Sequence, residues 1–412
     1  MNRVIETLIR KGVRMPNPRA VEVGPEVHPD QISARNVTIH TGCKLYGEQT
    51  WILDDVTLGK EAPATVINCQ VGPQVQLWGG FFENATFLEG ASFGSGAHVR
   101  GGTILEEQAS CAHTVGLKQT ILFPFVTLGS LINFCDCFMA GGTGPKNHSE
   151  VGSAYIHFNF SANQDKATAS LLGDVPQGVM LNQPPIFLGG QGGLVGPSRI
   201  NFGNVIAAGS ICRRDIPVSG KLILESRGSS GALDFHTGVY TKLKRLATNN
   251  VVYLANMLAL RQWYLHIRPL FVGRKFPQPL CDGLQQQIER VIGERTARLN
   301  QLINKAKVSL EYFAAQSKIS TSQIKVHKAL IENQKTLMDL FHQVSHQTFL
   351  GEEKLYDRFQ TDMSRLPTQD SGYIETIQAI SKETRSAGTR WLHSVVDEVV
   401  EAAAGIIPGA LS

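Results

Sequence analysis

The sequence predicts an all-β left-handed parallel β-helix of the hexapeptide-repeat kind, followed by an α-helical C-terminal region. Three observations predict it. Apolar residues recur at every sixth position in two stretches: Phe87, Phe93, Val99, Leu105 and Cys111, and later Leu188, Leu194, Ile200, Ile206 and Cys212. Neither a helix nor a flat strand makes that spacing, whereas a triangular coil needs one inward side chain on each short strand. Glycine follows an apolar residue in Leu58-Gly59, Val71-Gly72, Leu128-Gly129, Val151-Gly152, Leu188-Gly189 and Val195-Gly196. It suits a corner whose φ is unfavourable for other residues. From about residue 237 the pattern changes, and Leu243, Ala247, Val251, Leu254 and Leu258 follow at helical steps of three or four.

Taken in order, residues 1–30 form a short amphipathic helix (Val4, Ile5, Leu8, Ile9) and then a Pro-rich lead-in at Pro16, Pro18, Pro25 and Pro29. Residues 31–218 form the β-helix, rich in Gly and β-branched side chains. Two stretches, 139–149 and 157–187, are too polar and irregular for regular coils. Loops leaving a rigid solenoid are places where binding sites are built. Residues 219–412 form the helical region. No Gly or Pro occurs between Gly293 and Gly351, and Leu299, Leu302, Ala306 and Leu310 make one apolar stripe. Such stripes point to packing within the helices or against the solenoid.

A chain of 412 residues exceeds the usual size of one core, so two or three structural regions are expected. The net charge of +4 and the 18% of charged residues give no concentrated basic stripe beyond Lys242-Leu-Lys-Arg245, which argues against nucleic-acid binding. The seven Cys read as reduced thiols in small apolar slots, and Cys135-x-Cys137 has no second pair at zinc spacing, so no metal is expected. The N-terminus, Met1-Asn-Arg-Val, does not read as a signal peptide, and no apolar run reaches the ~20 residues of a membrane span. These features lead to the expectation of a soluble cytoplasmic protein.

The stretch Arg100-Gly-Gly-Thr-Ile-Leu-Glu106-Glu107, continuing to Val115-Gly-Leu-Lys118, resembles the acetyltransferase domain of the bifunctional UDP-N-acetylglucosamine pyrophosphorylase/glucosamine-1-phosphate N-acetyltransferase family. That family carries an Arg, a Glu-Glu pair and a Lys at this spacing, and both cations contact the sugar phosphate. The chemistry suits the role: a guanidinium makes bidentate charge-assisted bonds to phosphate, and a Lys adds a mobile charge. Equivalent positions on adjacent coils also stack on one surface. Glu150-Val-Gly-Ser-Ala-Tyr-Ile-His157-Phe-Asn159-Phe160 is similar to the family stretch that contributes an Asn to the sugar and acetyl pocket, with Asn159 on that Asn and Phe160 replacing a Tyr. Val205-Ile-Ala-Ala-Gly-Ser-Ile-Cys-Arg-Arg214-Asp-Ile216 follows the family's last coil, where a basic residue helps hold coenzyme A; Arg214 is the match. The resemblance implies acetyl-CoA or another acyl-CoA as cosubstrate and a homotrimer with pockets between subunits.

Departures from the family are equally specific. Its catalytic base is a His twelve residues after the Lys, where this chain has Ser130, and Asn133 stands at the family's Tyr position. A Ser hydroxyl does not accept an amine proton near neutral pH. His113, His148 and His157 are the available substitutes, with His157 preferred because it lies on the same side of its strand as Asn159. The family's nucleotidyltransferase domain, with its Gly-rich loop, has no counterpart in this chain. The amide-rich segment around Asn163, Gln164 and Lys166, with the glycines near Gly189-Gly190, suits a polar ligand bearing phosphate or hydroxyls.

The function expected is therefore a sugar-phosphate or nucleotide-sugar binding β-helix protein acting as an acyl-CoA-dependent acyltransferase on an amino-sugar phosphate. His157 and Asn159 are the catalytic candidates. Arg100, Lys118, Asn133, Asn163, Gln164 and Lys166 are the substrate-binding candidates, and Arg214 is the cofactor-binding one. A non-catalytic sugar-phosphate or nucleotide-sugar binding protein that has lost the base, and a structural assembly module, are the alternatives.

Overall fold

The computed structural model describes residues 3–159, 161–225, 231–232, 235–314, 321–366 and 372–411. Three parallel sheets wrap one axis. Face 1 runs from Glu22–Val23 to Ile211–Cys212, face 2 from Trp51–Ile52 to Arg199–Ile200, and face 3 from Thr38–Ile39 to Leu222–Ile223. Register explains the sixth-position repeat. Phe87 pairs with Leu105 on face 2, Phe93 with Cys111 on face 3, and Val99 with Leu117 on face 1. Each step of six moves to the next face, and all ten residues of the two apolar series are buried. Phe82, Phe87 and Phe93 meet edge-on inside one coil, with centroids 5.4–5.9 Å apart, the geometry that aromatic quadrupoles favour. Strand pairing starts at Glu22, ahead of residue 31, and continues to Ile223.

The corner glycines work differently from the expectation. Of the six, only Gly59 has a positive φ (+76°). The others are required by close stacking: a Cβ on Gly152 would lie 2.4 Å from Gly190 N, and one on Gly189 would lie 2.3 Å from Ala208 N. Left-handed positions in the solenoid are held by other glycines, such as Gly90, Gly96 and Gly102, and by side chains such as Asn68, Asn84, Gln119 and Asp136, with Asn and Asp the non-glycine residues that tolerate that region best.

Both breaks in the repeat lie where the composition placed them. Residues Gly142–Gly144 and Asn147–His148 form an antiparallel hairpin between faces 2 and 3. Between Phe158 and Ser170 a loop bridges faces 1 and 2, followed by the one-turn helix Val175–Gly178.

Among the described residues, the C-terminal region contains α1 (Leu243–His266), α2 (Gln278–Ala314), α3 (Thr321–Glu332), α4 (Gln334–His346), α5 (Glu353–Met363), α6 (Tyr373–Ala379) and α7 (Lys382–Ile406). They lie on face 2. The outward side chains of that face, Thr86, Ile104, Ile121, Phe138 and Leu171, are at most 3% exposed, so the helices bury a sheet surface that would otherwise face water. α2 packs on face-2 strands along the solenoid, and α1 sits between α2 and α7. α1 is buried along most of its surface, with Asn249, Asn250, Asn256, Arg261 and Gln262 among its buried residues.

Two buried ion pairs tie this layer down. Arg268 donates to Glu107 at 2.6 Å, and Arg295 meets Asp136 at 2.9 Å; all four side chains are at least nine-tenths buried. The Tyr264 hydroxyl donates to Glu106 at 2.6 Å. The Glu106-Glu107 pair therefore anchors α1 and the turn that follows it. All seven Cys are buried free thiols. Among the described residues, no group of three or more His, Cys, Asp or Glu could hold a metal, and no helix is long and apolar enough to cross a membrane.

Candidate functional site

Face 1 presents two outward columns, because side chains alternate along each strand. One column runs His98, Gly116, Asn133, Ile156. The second runs Arg100, Lys118, Cys135: Val99 pairs with Leu117 and Lys118 pairs with Cys135, which sets Arg100 opposite Lys118. Adjacent coils are ~4.8 Å apart, so the two cations stack on one surface. Arg100 is exposed and Lys118 half-buried.

Gly116 leaves a hollow between the columns. A Cβ there would meet little beyond Asn133 Oδ1 at 3.7 Å. The depression measures about 420 Å³ and is lined by His98, Arg100, Asn133 and Cys135, with Leu131 and Ile156 as an apolar rim. Leu131 and Ile156 are 55% and 43% exposed, and the His98 ring stacks on Phe81. Burial raises the Cys135 thiol pKa, against the opposing charges of Arg100 and Lys118. A guanidinium and an amide lining an open hollow with an apolar rim, with Lys118 one coil further along the Arg100 column, can take a phosphorylated polyol.

At the corner leading into face 1, Ser95, His113, Ser130 and Ser153 occupy equivalent places, as the backbone bonds Thr114 N to Ser95 O, Leu131 N to His113 O and Ala154 N to Ser130 O show. The exposed His113 Nδ1 is 2.9 Å from Ser130 Oγ. Ser153 Oγ accepts from Ser130 N at 3.2 Å. The following residues, Thr114 and Leu131, line the depression. In the tautomer that donates Nδ1–H to Ser130, Nε2 carries the lone pair. Separation by one coil, 113 to 130, was the signal available in the sequence for this pairing.

His157 stands elsewhere. Its strand neighbours Ile156 and Phe158 point outward, and the ring lies inside the coil, 2% exposed. Nδ1 bonds Cys135 O at 2.5 Å and Nε2 bonds Ser170 Oγ at 2.9 Å. Burial depresses its pKa to about 4. With both nitrogens engaged and no route to the outer face, this ring is placed as a core residue rather than as a base. A folded pKa below the unfolded one means that the unfolded chain takes up a proton first as pH falls. Stability contributed by the neutral ring is thus lost as pH drops from about 6.5 toward 4. Melting temperatures followed over that range should fall less steeply in His157→Asn than in the unsubstituted chain; parallel slopes would contradict the buried neutral ring.

The loop candidates are engaged with α2. Asn163 Oδ1 accepts from Gly238 N, the Asn163 and Gln164 carbonyls accept from Lys305 Nζ, and the Lys166 carbonyl accepts from Arg295. These residues are brought to the helical layer and not to the Gly116 hollow. Asn159 bonds the Asp136 carboxylate, which also feels the Lys118 charge; this links the loop to the cation column from beneath. Phe160 lies outside the described residues. His148 bonds Pro145 O within the hairpin. Arg214, 67% exposed at its side chain, pairs with Glu225 at 2.8 Å, so a phosphate reaching Arg214 must compete with that carboxylate.

No family model matches the chain. Over 223 residues it is 24% identical to the "Bifunctional protein GlmU" of Thermotoga petrophila, across 52% of this chain and 43% of that protein. Proteins of the same name from Pelobacter propionicus and Nocardia farcinica are 22% identical over 224 residues and 26% identical over 218. The chain spans less than half the length of these relatives. Their similarity, together with the parallel solenoid, fits a hexapeptide-repeat acetyltransferase domain.

Proposed function

We propose that this chain transfers an acyl group from an acyl-CoA thioester to the amine of an amino-sugar phosphate, at the face-1 depression. One observation carries the reading: Arg100 lines the open hollow over Gly116, with Lys118 opposite it in register on the next coil and the His113–Ser130 pair at the adjoining corner. Arg100 takes the phosphate oxygens through its fork and Lys118 adds charge. Asn133 orients a sugar hydroxyl. As the amine nitrogen bonds to the thioester carbonyl carbon and the carbon–sulfur bond breaks, His113 Nε2 accepts the amine proton and returns it to the departing thiolate. Ser130 fixes the ring that does so. Arg214 is the outlying contact for the cosubstrate's phosphates once released from Glu225. An assembly of three chains would form through faces 1 and 3, since the helical layer covers face 2.

Ser130 at the family's base position favours a second reading, a sugar-phosphate binding protein without transfer chemistry. One assay separates the two. With glucosamine 1-phosphate and acetyl-CoA, free thiol release should follow enzyme concentration, and His113→Gln should lower kcat by about 10²–10⁴, the range for general-base catalysis. Turnover unchanged in His113→Gln would remove His113 from the mechanism; binding of the sugar phosphate with no turnover in the unsubstituted chain would establish the second reading.

A further inference from the structure

Within the helical layer, α1, α2 and α4 enclose an open cavity of about 430 Å³ that the proposed chemistry does not use. This lies in the range of small-molecule sites, ~300–1,000 Å³. Arg261 lines it with its side chain only 10% exposed. Its Nη1 donates to Gln347 O at 2.8 Å, but the buried Nε has no hydrogen-bond partner among the described residues. The nearest carboxylate, Glu289, is 61% exposed and 3.9 Å away, beyond hydrogen-bond reach. A buried guanidinium left this way is costly unless an anion completes it. Gly293 is the second observation. It sits inside the 37-residue α2, where glycine costs ~1 kcal/mol against alanine, and a Cβ built on it meets nothing within 4 Å. This exposed residue lines the cavity and places no side chain in it. Ile292 and Phe341, both buried, supply an apolar wall, and His342 and His346 stand at the mouth.

We propose that this cavity binds a small carboxylate carrying a short alkyl chain. The carboxylate takes the Nε edge of Arg261, which matches its two oxygens, displacing the exposed Glu289 carboxylate that stands 3.9 Å away, and the chain lies on Ile292 and Phe341. Sodium hexanoate is the probe, titrated calorimetrically into the full chain with hexanol and hexylamine as controls. Saturable binding of hexanoate alone is expected, weakened about tenfold or more in Arg261→Gln, the effect of losing a charged hydrogen-bond donor. Because Arg261 is buried, Gly293→Leu provides a second arm: it fills the cavity from open space and should weaken hexanoate as strongly while melting no lower than the unsubstituted chain. Absence of saturable binding, equal binding of hexanol, or hexanoate affinity unchanged in Gly293→Leu would each overturn the proposal.

Discussion

Glu107→Ala should destabilise the chain by about 3–5 kcal/mol, the cost of removing one partner from a buried ion pair. Arg268 is fully buried and pairs with Glu107 at 2.6 Å. Nε and Nη1 of Arg268 already lack partners among the described residues, so no other acceptor stands ready. Stacking of the guanidinium on Tyr373, 3.8 Å from the ring centroid, and on Phe276 holds it in place. The freed cation therefore stays in an apolar setting. Glu106 offsets only part of the loss, because burial raises its carboxyl pKa to about 7 against the opposing charge of Arg268. Urea unfolding followed by tryptophan fluorescence reads the result: Trp263 and Trp391 are buried in the helical layer, so that layer should loosen at lower urea. The double variant Glu107→Leu/Arg268→Met should recover most of the loss, since a well-packed apolar pair can replace a buried ionic one. A loss under about 1 kcal/mol for Glu107→Ala would mean that the Glu-Glu pair does not anchor the helices.

An effect of similar size, about 3–5 kcal/mol, is expected for Arg295→Met, which leaves Asp136 buried without its cation. This variant carries a pH signature. Burial already raises the Asp136 pKa, opposed first by Arg295. Without Arg295 it rises further, so the folded state holds its proton to higher pH than the unfolded state does. Stability is then lost as pH increases. The deficit of Arg295→Met against the unsubstituted chain should accordingly shrink toward pH 4 and be largest above neutrality, as melting curves at several pH values would show. Asp136→Asn should largely relieve it. A deficit independent of pH would assign the loss to packing alone.

Legibility from the amino-acid sequence follows physical constraint. The coil interior admits one side chain per face, so the series from Phe87 to Cys111 was readable as a three-sided repeat. Arg100 and Lys118 were readable as neighbours because equivalent coil positions stack. His157 aligns with Phe134 and Leu194 in register, an inward apolar column, and this column parity, readable in the sequence, outranks its proximity to Asn159. Polarity of the Asn163–Lys166 segment pointed to a ligand, yet its partners are Lys305, Arg295 and Gly238, which are distant in sequence. The same distance hid the role of Glu106 and Glu107. The Gly116 hollow was missed because an outward glycine on a strand carries no pattern of its own; only its neighbours His98, Asn133 and Arg100 make it a site.

Calorimetric titration of glucosamine 1-phosphate and of glucosamine into the chain and into Arg100→Ala tests the face-1 site most directly. Arg100 is exposed, so the variant should fold and melt as the unsubstituted chain does. Glucosamine 1-phosphate should bind it less tightly by about 1.5–3 kcal/mol, the contribution of a hydrogen bond to a charged group, with Arg100→Lys recovering only part and glucosamine unaffected. Equal losses for the phosphorylated and plain sugar, or no loss for either, would contradict a phosphate site built on Arg100 and Lys118.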